Sequence, residues 1–200
     1  MPRNSRAEAA RTRSAVVARA VDLGSAAGLE AVSIGRLADE LGLSKSGVIG
    51  PFGSKEELHL AAVQAASERF RAEVWDPVAD QPPGLPRLVA IVDAWFSYLE
   101  RDVFPGGCFL SAASLEFDDR PGAVRDAIAA AWTYWLAVLE REAATAQERG
   151  ELSGEPGPCQ LAFQLNAYVM AGNWTKQLFG GSAPLAGARA AAQQLLTQRG

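Results

Sequence analysis

Apolar residues return at helical intervals along most of the chain. Val16, Ala20, Leu23 and Ala27 stand at i, i+4, i+7 and i+11, the stripe of a helix with one buried face. Between Val124 and Arg149, the residues Ile128, Trp132, Trp135, Leu136 and Leu139 share one broad face. The last part of that segment, Glu140 to Arg149, is charged and alanine-rich and reads as an exposed helix end. From Cys159 to Phe179 the only charge is Lys176. The circumference there is apolar or amide-bearing almost all round, which predicts a helix buried on more than one side. A second copy of the chain is the favoured cover, with the Val124–Leu139 helix as its neighbour in a four-helix core. No stretch sustains the period-two alternation of a strand beside hairpin dipeptides.

Turn signals separate these pieces. Gly28, Gly42, Pro51-Phe52-Gly53, the run from Asp76-Pro77 to Pro86, Pro105-Gly106-Gly107, Pro121-Gly122, Gly154 to Pro158 and Gly180-Gly181 with Pro184 each break a helix. The count is about nine helices and no sheet, an all-α chain. The domain reading is a small module over residues 1–56 and a larger helical domain over 57–200.

Composition adds three constraints. The chain has 200 residues, 48% of them hydrophobic and 21% charged, which suits packed domains and excludes a mainly disordered state. Cys108 and Cys159 form neither a disulfide framework nor a CxxC metal site, and a cytoplasmic protein is expected. The uncharged run from Pro156 to Thr175 carries Gln160, Gln164, Asn166 and Asn173, too polar for a membrane span. The net charge is −4, yet residues 1–19 hold five arginines against Glu8 alone. A basic arm on an otherwise acidic chain suits a polyanion.

The most specific segment lies within residues 29–58. Ser33 is placed to cap a helix running to Leu41, with Leu37 and Leu41 on its inner face and Ala38 small enough for a close crossing. Gly42 supplies the turn, Leu43 plugs it, Ser44 caps the next helix and Val48 faces back to Leu37 and Leu41. Two short helices so joined form a helix-turn-helix, whose second member enters the major groove by its N-terminal part. Here that part is Lys45, Ser46 and Gly47, followed by Ile49 and Gly50. Ser54 and Glu57 frame a capping box at the start of the next helix, and its free N–H groups with Lys55 suit a phosphate.

The stretch from Leu37-Ala38 to Leu43-Ser44-Lys45-Ser46-Gly47, with Phe52-Gly53-Ser54-Lys55-Glu56-Glu57-Leu58, resembles the DNA-binding domain of tetracycline-repressor-type (TetR family) transcriptional regulators. The resemblance implies a three-helix DNA-binding domain and a helical ligand-binding and dimerisation domain. It implies a homodimer on a palindromic operator in double-stranded DNA, released by a small molecule; the arginine and alanine bias separately suggests a bacterial source. By position the resemblance implies phosphate contacts for Ser33 and Lys55 and base contacts for Lys45, Ser46 and Gly47; Arg6 of the basic arm, and Ser44 and Ile49 of the second helix, complete the DNA-binding candidates. The family commonly carries an aromatic at the position of Ile49, and a histidine or aromatic at that of Pro51. Ile49 and Pro51 offer only apolar contacts, and Pro51 biases Gly50 away from helical geometry, so the reading helix should stop near Ile49. The alternative reading is a dimeric small-molecule-binding protein whose head has degenerated.

Beyond residue 85 large aromatic side chains are frequent, and most belong to a core. Trp95, Phe109, Trp132, Trp135 and Tyr168 are the candidate ligand lining, and the shortage of charge among them favours a neutral, hydrophobic molecule. Enzyme chemistry is not expected. The single histidine, His59, reads as an exposed or half-packed helix residue, nothing pairs it with Cys108, and no metal set or cofactor motif is present.

Overall fold

The computed structural model describes the backbone of residues 2–197 and the side chains of residues 7–197. Every regular element among them is helical: α1 (Pro2–Ala27), α2 (Ile34–Leu41), α3 (Lys45–Ile49), α4 (Lys55–Phe70), α5 (Leu85–Glu100), α6 (Phe109–Phe117), α7 (Ala123–Glu148), α8 (Pro158–Phe179) and α9 (Ala183–Leu195). The basic N-terminal arm is the beginning of α1. After α4 the chain widens into a π turn (Arg71–Trp75) and then tightens into a 3-10 turn (Asp76–Val78), where Pro77 offers no N–H for continued α-helix.

The helices gather into two units. The first holds residues 1–68 and 104–129, the second 69–103 and 130–200. In the first, α1 packs on α6 and on the α2–α3 pair. Gly24 makes the α6 contact possible, because a Cβ there would lie 2.7 Å from the Phe109 ring. Val16, Ala20, Leu37, Val48, Leu58 and Ala62 are fully enclosed. Glu116, near the end of α6, grips the loop after α1: its carboxylate accepts the Leu29 N–H at 2.6 Å and the Glu30 N–H at 2.9 Å.

In the second unit α8 and α9 lie along each other with α5 against both. Gly172 sets their separation, since a Cβ there would meet Ala188 Cβ at 2.9 Å and Leu185 at 3.2 Å. The C-terminal part of α7 differs from its sequence reading. Glu142, Ala143 and Ala146 are buried, because the start of α5 docks on them. The Gly84 N–H donates to Glu142 Oε2 at 3.1 Å, and Arg87 donates to Glu142 Oε1 at 3.3 Å. Burial of that stretch depends on a partner 55 residues away in sequence, which helical periodicity does not report.

Candidate functional site

The α2–α3 pair is built by short-range rules. Ser33 Oγ accepts the Arg36 N–H at 3.1 Å, and Ser44 Oγ accepts the Gly47 N–H at 3.0 Å. Each serine thereby satisfies one of the free donors at a helix start. Gly42 ends α2 at φ 63°, ψ 32°, left-handed geometry that glycine adopts without a Cβ penalty. Leu37, Ala38 and Val48 clamp the pair together and are buried. Leu41 is only half-buried, against the core role its spacing suggested. It is the last residue of an eight-residue helix, so its side chain sits at the edge of the crossing.

This clamp leaves the front of α3 open. Lys45 and Ser46 are exposed, Ser44 and Ser46 join their hydroxyls at 3.0 Å, and Gly47 and Ile49 are half-buried. A Cβ on Gly47 would sit 3.2 Å from Ser44 Oγ, so the glycine also protects the cap. The helix ends at Ile49, but Gly50 keeps right-handed angles (φ −51°, ψ −42°) despite the following Pro51. Part of the clash imposed by a following proline is with a Cβ, and Gly50 has none. Ser54 Oγ accepts the Glu57 N–H at 3.1 Å, the first half of a capping box at the start of α4.

The cations of this unit are not all open to an incoming anion. Lys55 Nζ donates to the Glu30 carbonyl at 3.2 Å and to the Glu30 carboxylate at 3.3 Å. Glu40 receives both Arg19 at 2.5 Å and Arg36 at 3.0 Å. The Arg19 hydrogen bond first, then that of Arg36, holds the Glu40 carboxyl below its ordinary range. Arg13 stacks over the Phe52 ring at 5.0 Å. The side chain of Arg6 lies outside the described residues. Sequence spacing missed both carboxylate pairings, because Arg19 and Glu40 lie 21 positions apart, and Lys55 and Glu30 lie 25 apart.

His59 differs from its expected exposure: only 3% of its surface is accessible. It stands between the Val32 carbonyl, 3.4 Å from Nε2, and the edge-on Phe117 ring at 6.5 Å. Burial, outweighing the Val32 hydrogen bond, pushes its pKa below the ordinary 6.5. The unfolded chain therefore binds the proton more readily than the folded one. Stability from this group is full above pH 6.5 and is lost as pH falls through the lower folded value. Since it is the sole histidine, replacing it with leucine should flatten the dependence of the melting temperature on pH just below 6.5. An equally steep profile in the variant would contradict the assignment.

The candidate ligand residues fall into separate places. Trp95, Trp132 and Trp135 form one cluster in the second unit: Trp95 lies 6.4 Å from Trp132 and 5.2 Å from Trp135. Phe70 completes it, edge-on to Trp95, Tyr98 and Trp135 at 5.7, 5.4 and 4.9 Å. The indole N–H groups of Trp95 and Trp135 are buried with no hydrogen-bond partner among the described residues. Phe109 belongs to the first unit, 6.2 Å from Phe104, and Tyr168 is half-buried on α8. Phe70 was overlooked because it closes α4. Its register with Leu58, Ala62 and Ala66 marked it as inward-facing.

On α8, one side buries Leu161, Leu165, Val169 and Gly172, while Phe163, Trp174, Leu178 and Phe179 stand exposed, as does Tyr134 of α7. Among the described residues no three His, Cys, Asp or Glu side chains gather as metal ligands would, and no helix is long and apolar enough to cross a membrane.

Comparison with known proteins agrees at both ends of the chain. Residues 16–62 match the family described as bacterial regulatory proteins, tetR family, and residues 84–192 match the tetracyclin repressor-like C-terminal domain. No curated protein matches by sequence. Among solved structures, a TetR transcriptional regulator from Chloroflexus aurantiacus is similar at 28% identity and TM-score 0.88, with 96% of this chain and 97% of that one covered. A TetR-family regulator from Cytophaga hutchinsonii shares the fold at 20% identity and TM-score 0.82, with 94% of each chain covered. AibR, solved with isovaleryl coenzyme A and operator DNA, does so at 21% identity and TM-score 0.75, covering 94% of this chain and 99% of its own.

Proposed function

We propose that this chain, which belongs to the TetR family of bacterial regulatory proteins and is a ligand-responsive DNA-binding regulator, acts as a homodimeric repressor. It leaves a palindromic operator when a small, neutral, hydrophobic molecule binds. Residues 1–56 serve as the DNA-binding domain, and residues 57–200 hold the ligand and the dimer contact. DNA being its target, it works in the cytoplasm.

One observation carries the reading. The exposed Lys45–Ser46 start of α3 is mounted on the buried Leu37, Ala38 and Val48, which frees those side chains for a groove. Ser33 and Ser44 supply phosphate contacts beside it, and Lys45, Ser46 and Gly47 approach base edges, with Ile49 set for a thymine methyl. Arg6 reaches DNA from the start of α1. Lys55 reaches a phosphate once its bond to Glu30 opens.

The dimer uses the exposed apolar side of α8, with Phe163 and Trp174 meeting their copies and Tyr134 of α7 alongside. In the second unit the Trp95–Trp132–Trp135 cluster lines the ligand site with Tyr168, and Phe109, which belongs to the first unit, is not part of it. The similar AibR was solved with an acyl-thioester and operator DNA together, a precedent for one protein of this fold holding both. Release needs differential affinity: turning a mostly bound population into a mostly free one takes a preference of about 10⁴-fold for the released state.

The test is a mobility shift on upstream DNA. Lys45→Ala should weaken operator binding by roughly tenfold, within the 1–3 kcal/mol typical of a base contact. The melting temperature should stay unchanged, because Lys45 is exposed. A large drop in melting temperature with unaltered DNA affinity would place Lys45 in the wrong role. No sequence-selective shift at low salt would favour the degenerate head.

A further inference from the structure

Four cations of the first unit are held by two carboxylates. Glu40 binds Arg19 at 2.5 Å and Arg36 at 3.0 Å, and Glu30 binds Lys55 at 3.3 Å and Arg120 at 4.0 Å. The side chains are well exposed: Arg36 is 44% accessible and Lys55 is 41%. Exposed ion pairs of this kind add little to folding stability, so folding gives small reason to place acids there.

Position gives a better one. Arg36 lies in the first turn of α2, the helix that crosses the DNA backbone in a helix-turn-helix. Lys55 is the first residue of α4, where free N–H groups favour an anion. Each carboxylate thus holds a cation from the start of a helix, Arg36 of α2 and Lys55 of α4.

We infer that Glu40 and Glu30 are internal stand-ins for DNA phosphate, which occupy Arg19, Arg36 and Lys55 in the free protein and weaken its grip on non-specific duplex. The inference rests on the DNA-binding reading above. Non-specific affinity comes almost wholly from phosphates neutralised by lysine and arginine. An internal carboxylate that keeps its cation off a phosphate lowers that affinity, and it leaves base contacts by Lys45 and Ser46 untouched. The operator complex, in which Lys55 leaves Glu30, bears a cost of its own, so only a site with base contacts is held tightly.

The experiment measures binding of full-length protein to an operator-free duplex as a function of salt, for the unaltered chain, Glu40→Gln, Glu30→Gln and the control Asp39→Asn. Asp39 lies on the same helix as Glu40, so its variant changes charge equally without releasing Arg19 or Arg36. The plot of log affinity against log salt should steepen by about 0.9 for each further phosphate that the protein neutralises. Glu40→Gln should steepen it by about 1 to 2, and Glu30→Gln by about 1, with tighter binding at low salt. Adding Arg36→Gln to Glu40→Gln should reverse part of that steepening. Slopes equal to the unaltered protein, or the same steepening in Asp39→Asn, would overturn the inference while leaving DNA binding intact. Failure of the unaltered protein to bind any duplex would overturn the DNA-binding reading and the inference with it.

Discussion

Gly106→Ala should destabilise the first unit by at least about 3 kcal/mol, placing it among the severe single substitutions. Gly106 lies in the turn before α6, pressed against the end of α1. A Cβ there would stand 1.9 Å from the Ser25 carbonyl oxygen, 2.4 Å from its carbon and 2.5 Å from Ala26 Cα. All three atoms are backbone, so no rotamer change relieves the overlap, and the turn must move away as a whole. That movement strips the Gly106 N–H from Ser25 Oγ, 3.3 Å away. It also disturbs the nearby packing of Phe109 on Gly24, which is already too tight to admit a Cβ. Denaturant titration checks the result, with operator binding expected to weaken alongside stability. Unfolding within about 0.5 kcal/mol of the unaltered chain, the range of an ordinary surface change, would show that the close approach does not exist.

The second large effect concerns Glu142, which is only 2% exposed on its side chain while its partner Arg87 is 16% exposed. Truncation in Glu142→Ala leaves the Arg87 guanidinium short of its countercharge and the Gly84 N–H without its acceptor. Breaking a buried pair from one side costs about 3–5 kcal/mol, because the remaining charge stays desolvated. Glu142→Gln keeps an acceptor for Gly84 and should fall well short of that loss. Equal melting temperatures for the alanine and glutamine variants would contradict the role given to the carboxylate charge.

These two residues also mark the limits of what the chain's pattern discloses. The α2–α3 pair was legible because its signals are local: a capping serine, a left-handed glycine and apolar residues three to four apart act within one or two turns. The extent of α8, from Pro158 to Phe179, followed for the same reason from flanking glycine and proline. Glu142 was misread as part of an exposed helix end, since only the distant Arg87 and Gly84 give it cause to be buried. His59 was misread likewise: its enclosure depends on Val32 and on Phe117 of α6, both remote in sequence. The pairings of Glu40 with Arg19 and of Glu30 with Lys55 were invisible, because each spans more than twenty positions and charge counting does not say which base a distant acid meets. Pro51 carried a sound steric expectation for a generic neighbour, and the glycine at position 50 lifted it.

The measurement that bears most directly on the central claim is selection of duplexes from random DNA by the full-length protein at moderate salt. A homodimer reading with two α3 helices predicts an inverted repeat, its half-sites separated by about one helical turn of 10 base pairs or a multiple of it. Selection by Lys45→Ala should return the same symmetry with relaxed preference at one position in each half. A pool that stays random, or an enriched site without two-fold symmetry, would contradict the account.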